Sequence, residues 1–125
     1  MRQPTARMRR VNEILREVIA ESVTRLKDPR VGFVTITAVD TSPDLRHAAV
    51  YYSVLGTSEE QAVTEAALRS AAPHIRAEVG RQVRLKYLPE LAFERDEALE
   101  RGIRVQELLR QIEMERDDRG DPESG

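Results

Sequence analysis

Apolar residues recur at Val11, Ile14, Leu15, Val18, Ile19, Val23 and Leu26, which is the i, i+3, i+4, i+7 spacing of one helix face. Ser22 completes that face, and Asn12, Glu13, Arg16, Glu17, Glu21 and Arg25 lie opposite it. Pro29 ends the helix, because the residue before a proline, here Asp28, is held out of the helical region. The period then changes from 3.6 to 2. Val34, Ile36 and Ala38 alternate with Thr35, Thr37 and Val39, and β-branched residues dominate. Ala48, Val50, Tyr52 and Val54 alternate with Ala49, Tyr51 and Ser53. Thr41-Ser42-Pro43-Asp44, between the two runs, is dense in turn formers, so the strands read as a hairpin.

After Gly56 the helical period returns. Ser58 with Gln61 fits a capping box, and Glu59 and Glu60 suit the positive end of a helix. Val63, Ala66, Ala67, Ser70 and Ala71 make a stripe of mostly small side chains. Pro73 interrupts it by removing an amide donor and crowding the carbonyl of Arg69, yet it is suited to begin a new helix. The spacing predicts a helix, a break at Ala71-Ala72-Pro73, and a second helix carrying Ile75 and Val79 inward. Leu91 and Phe93, alternating with Glu90, Ala92 and Glu94, predict a third strand. Val105, Leu108, Leu109 and Ile112 mark a weaker C-terminal helix. Residues 113–125 hold six acids against two arginines and almost nothing apolar, so a disordered acidic tail is expected there.

This organisation is one domain over residues 1–112 followed by the tail. The order helix–strand–strand–helix–helix–strand makes an α+β fold, with helices on one face of a three-stranded sheet. It is the order of a type II KH domain. KH domains hold nucleic acid with a Gly-X-X-Gly loop between two helices, whereas this chain has Ala71-Ala72-Pro73 at that place.

Composition narrows the class. In 125 residues there are three Tyr, two Phe and no Trp, so the core must be aliphatic. The lack of cysteine excludes disulfides, thiolate nucleophiles and zinc ribbons, and suits a reducing cytosol. No run approaches the roughly 18 apolar residues of a membrane span. The N-terminal arginines precede no apolar run, so no secretory signal is expected.

Charge is informative only when split by position. Formal net charge is −2, but residues 1–30 hold eight Lys or Arg against four acids, and residues 69–86 hold five against one. The intervening residues 31–68 hold one cation against five acids, and residues 87–125 six against twelve. If the two basic segments fold together, they form a positive surface on an otherwise acidic chain. Candidate phosphate-binding residues are therefore Arg7, Arg9 and Arg10 in the first segment and Arg69, Arg76, Arg81, Arg84 and Lys86 in the second. The first three stand at a helix start, where positive charge opposes the dipole. Catalysis has little support. His47 and His74 have no partners at metal-ligand spacing, no Gly-X-X-X-X-Gly-Lys loop is present, and Ser42 and Ser70 lack a base. No cofactor or metal is expected. Tyr51, Tyr52 and Phe93 read as core.

Several segments together resemble ribosome-binding factor A, a family of bacterial assembly factors for the small ribosomal subunit. These are Asp28-Pro29-Arg30-Val31-Gly32, Ser42-Pro43-Asp44-Leu45 before Ala48-Ala49-Val50-Tyr51, Ile75-Arg76 with Gly80, and Pro89-Glu90-Leu91-Ala92-Phe93 with Asp96. The likeness runs in order from about Arg7 to Ile112. It implies a KH-like fold with a helix–kink–helix in place of the Gly-X-X-Gly loop, although Pro73 stands where the family usually has glycine. It further implies a cytoplasmic, non-enzymatic monomer that binds free small (30S) subunits during late maturation of 16S ribosomal RNA. A role in growth in the cold and release by a ribosome-dependent GTPase belong to the same picture. The competing reading of the residues is a protein-interaction module using the Thr35, Thr37 edge or the C-terminal helix.

Overall fold

The structure, a computed structural model, describes residues 5–118. Its elements are α1 (Ala6–Thr24), β1 (Val34–Thr41), β2 (His47–Val54), α2 (Ser58–Gln82), β3 (Glu90–Arg95) and α3 (Glu97–Asp118). The chain through Arg95 forms one compact unit, and α3 belongs to a second that begins at Asp96. In the first unit β2 is central, antiparallel to β1 and parallel to β3. A parallel step requires a crossover, and α2 supplies it. α1 packs on β1 and α2, and α2 packs on β3. This is the KH-like α+β layer that the order of elements predicts.

The central strand follows its alternation: Ala48, Val50, Tyr52 and Val54 are all buried beneath the helices. Leu15, Ile19 and Val23 from α1 and Leu68, Ile75 and Val79 from α2 meet them. Each such side chain contributes about 1.5–3 kcal/mol relative to exposure. Phe93 reaches Tyr52 edge to face, with ring centroids 6.5 Å apart. Tyr51, on the opposite face, is only half-buried.

β1 departs from strict alternation. Ile36 pairs with Tyr52 and Ala38 with Tyr51, which leaves Thr37 as the extra residue of a β-bulge. Beyond the bulge the phase reverses, so Val39 and Thr41 are buried and Ala38 is exposed.

α2 differs from expectation in two respects. Its cap is Thr57, one residue earlier than Ser58: the Thr57 hydroxyl accepts from the Glu60 amide at 3.1 Å, and the Glu60 carboxylate accepts from the Thr57 amide at 3.2 Å. Gly56 permits this start. Its φ is +133°, and a Cβ there would stand 3.1 Å from that of Glu60. Second, no break occurs at Ala71-Ala72-Pro73; α2 is one helix with Pro73 inside it. Ala67 and Leu68 before the proline and Ile75 and Val79 after it are fully buried in the same core. Packing thus holds both halves together against a penalty of about 3 kcal/mol.

α3 continues to Asp118, so residues 113–118, expected to be disordered, are helical. Glu, Met and Arg are strong helix formers, and Arg116 in the last turn suits the negative end of the dipole. Residues 119–125 of the expected tail lie outside the described residues. Among the described residues, no helix is long and apolar enough to cross a membrane.

Asn12, placed by periodicity on the polar face of α1, in fact ties that helix to the end of β1. Its Oδ1 accepts from the Thr41 amide at 3.0 Å and the Thr41 hydroxyl at 2.7 Å, and Thr41 is fully buried. Asn12→Ala should lower unfolding free energy by about 1–3 kcal/mol, because both donors are left unmet. Adding Thr41→Val should recover part of that loss in urea melts, by removing the orphaned hydroxyl; no recovery would mean that the bond carries little of the stability.

Candidate nucleic-acid interface

The two basic segments are distant in sequence, but the fold joins parts of them. α2 stops at Gln82, and Val83 is already extended, with φ −122° and ψ 131°. From there side chains alternate with a period of two: Val83 and Leu85 are half-buried, Arg84 and Lys86 exposed. Arg7 and Arg10, one turn apart on α1, line a groove of about 420 Å³ together with Arg84 and Lys86. Its floor is apolar, from Val11, Ile14 and Leu45 as well as Val83 and Leu85. None of the four cations makes an ion pair among the described residues. The first turn of α1 contains no acid to offset its arginines, so an anion in the groove would relieve their opposition to the helix dipole.

The other expected cations lie elsewhere. Arg9 lines a separate hollow beside Asn12 and Thr37. Arg69 pairs with Glu65 at 2.7 Å, one turn back on α2. Arg81 pairs with Glu78, and that contact, with a second from Gln82, holds the Glu78 carboxyl below its usual range. Arg76 has a structural job: its Nε donates to the Pro89 carbonyl at 3.0 Å and a terminal nitrogen to the Leu88 carbonyl at 2.8 Å. Ala71, Ala72 and Pro73 do not line the groove either. Ala72 lies with Arg69 in a hollow against β3, and Pro73 stands within the continuous helix.

Sequence reasoning passed over Arg46 and Tyr87. The Arg46 guanidinium carbon lies 4.1 Å from the centroid of the Tyr87 ring, and Lys86 Nζ is 5.5 Å from it. The available signal was that Arg46 is the sole cation of residues 31–68 and that Tyr87 directly follows the second basic segment. A tight turn positions Arg46. Asp44 accepts from the Ser42 hydroxyl at 2.6 Å and the Arg46 amide at 3.0 Å, and Leu45 adopts φ +60°. No group of three or more His, Cys, Asp or Glu that could hold a metal ion occurs among the described residues. The groove thus sets four cations around an apolar floor.

Comparison with known proteins decides the family. The model of ribosome-binding factor A matches residues 7–109, from the first arginine of the groove to beyond β3. The chain belongs to the ribosome-binding factor A family. The Geobacter sulfurreducens member is 41% identical over 111 residues, covering 88% of this chain and 94% of that one. The crystal structure of the Thermus thermophilus ribosome-binding factor A aligns with a TM-score of 0.64 at 30% identity, over 70% of this chain and 94% of that one. A homology model of the Thermus thermophilus protein, fitted into the cryo-electron microscopy map of its complex with 30S, aligns with a TM-score of 0.57 at 31% identity, over 66% of this chain and 88% of that one.

Two outcomes separate structural from surface arginines in this family member. Arg76→Ala should destabilise by about 1–3 kcal/mol, since two carbonyls lose a charged donor. Arg84→Ala should stay within about 0.5 kcal/mol, as exposed substitutions do. Equal denaturation midpoints for the two variants would refute the distinction.

The turn before Arg46 should also be acid-sensitive. The Ser42 hydroxyl and then the Arg46 amide hold the Asp44 carboxyl below its ordinary value. A depressed carboxylate contributes stability above its unfolded value, about 3.9, and loses it as pH falls through the lower folded value. The gap in Tm between the parent and Asp44→Ala should therefore be widest near neutral pH and close towards pH 3. A gap independent of pH would show that the charge on Asp44 plays no part.

Proposed function

We propose that this protein binds the small ribosomal subunit through the groove of Arg7, Arg10, Arg84 and Lys86, and that 16S ribosomal RNA is what those cations contact. The convergence of unpaired cations from two distant segments in one groove is the observation that carries this reading. A chain with net charge −2 has no general attraction for nucleic acid, so the affinity must come from this concentration of charge. The 30S complex of the Thermus thermophilus family member supports the choice of partner. The protein acts without chemistry of its own, as a cytoplasmic monomer that assists late maturation of 16S RNA. In the cold, mispaired RNA is slower to escape, which is where such assistance has its largest effect. A ribosome-dependent GTPase is the proposed agent of release.

Co-sedimentation with free small subunits at several salt concentrations tests the groove. Arg10→Glu combined with Arg84→Glu should remain folded by circular dichroism and lose association. Single substitutions should each lower the slope of log affinity against log salt by about one. Undiminished sedimentation of the folded double variant would place the contact elsewhere.

A further inference from the structure

The last cation of the groove along the chain, Lys86, stands beside an aromatic ring. Tyr87 is 38% exposed and directly follows Lys86, one of the groove's cations. Arg46 directly follows Leu45, part of the groove's floor, and lies over the Tyr87 ring. The Arg46 carbonyl accepts from the Glu90 amide at 2.8 Å, which fixes its backbone beside the start of β3. Its side chain is exposed, and no carboxylate lies within ion-pair distance of it among the described residues. A guanidinium already placed over a ring loses little freedom when a third planar group joins the stack. Aromatic rings and guanidinium planes are the surfaces on which unpaired bases stack.

Resting on the RNA-binding reading, we infer that Tyr87 and Arg46 receive an unpaired nucleobase whose neighbouring phosphates lie in the groove. The ligand of this site is then single-stranded RNA. An A-form duplex keeps its bases stacked on one another and offers the site only phosphates. The two contributions differ in kind. The groove supplies salt-dependent attraction, while the Tyr87–Arg46 pair supplies salt-independent discrimination between strand and duplex.

The test uses the full chain, a short single-stranded RNA containing 2-aminopurine, and a duplex of the same sequence, at several salt concentrations. Tyr87→Ala should lower single-strand affinity about five-fold or more, abolish the quenching of 2-aminopurine, and leave both the salt slope and duplex affinity unchanged. Tyr87→Phe should keep affinity and quenching. Equal losses on strand and duplex, or quenching that survives in Tyr87→Ala, would overturn the stacking role. Salt-dependent binding untouched by Tyr87→Ala would overturn it while leaving RNA binding in place. A parent protein that binds neither RNA would overturn the RNA reading as well.

Discussion

Everything in the first unit depends on α2 lying against the sheet along its length, from Thr64 to Val79, in spite of Pro73. Leu68 on one side of the proline and Ile75 and Val79 on the other are fully buried, and Val50 and Tyr52 of the central strand share their core. Were α2 to bend away at the proline, the chain after Gln82 would leave the first turn of α1, and the groove would have one wall. The return of the chain is tight as well. A Cβ on Gly80 would stand 3.2 Å from Leu88 Cδ2, so glycine lets the helix and the segment before β3 approach. Arg76 then clamps the Leu88 and Pro89 carbonyls. Its guanidinium thereby fastens α2 to the segment that leads into β3.

The sequence disclosed most where burial follows a simple period. β2 is covered on one face from end to end, and its alternation is unbroken. β1 was half legible, because a bulge at Thr37 changes phase midway and no turn residue announces it. Pro73 misled for a related reason. The local cost of proline is readable from one residue, but the long-range packing that outweighs it is not. The cap at Thr57 needed the positive φ of Gly56 to be seen as the true boundary.

The candidate site shows the same division. Counting charges located the two basic segments, and the i, i+4 and i, i+3 spacings of Glu65 with Arg69 and Glu78 with Arg81 are visible in the chain. What the chain could not show is the partition of cations that results. Helix neighbours neutralise two of the second segment's five, backbone carbonyls occupy a third, and the last two stand beside Arg7 and Arg10. Arg46, alone among acids in sequence, becomes part of the positive region only through the antiparallel hairpin and the parallel pairing of β2 with β3.

The bulge at Thr37 has a consequence beyond side-chain phase. β1 is an edge strand, and a regular edge offers a row of unmet donors and acceptors on which another chain can extend the sheet. A doubled residue bends that row and spoils its repeat, so a second β1 laid alongside would pair for only a few residues before losing step. Bulges of this kind are among the means by which edge strands in general are made poor templates for a second chain.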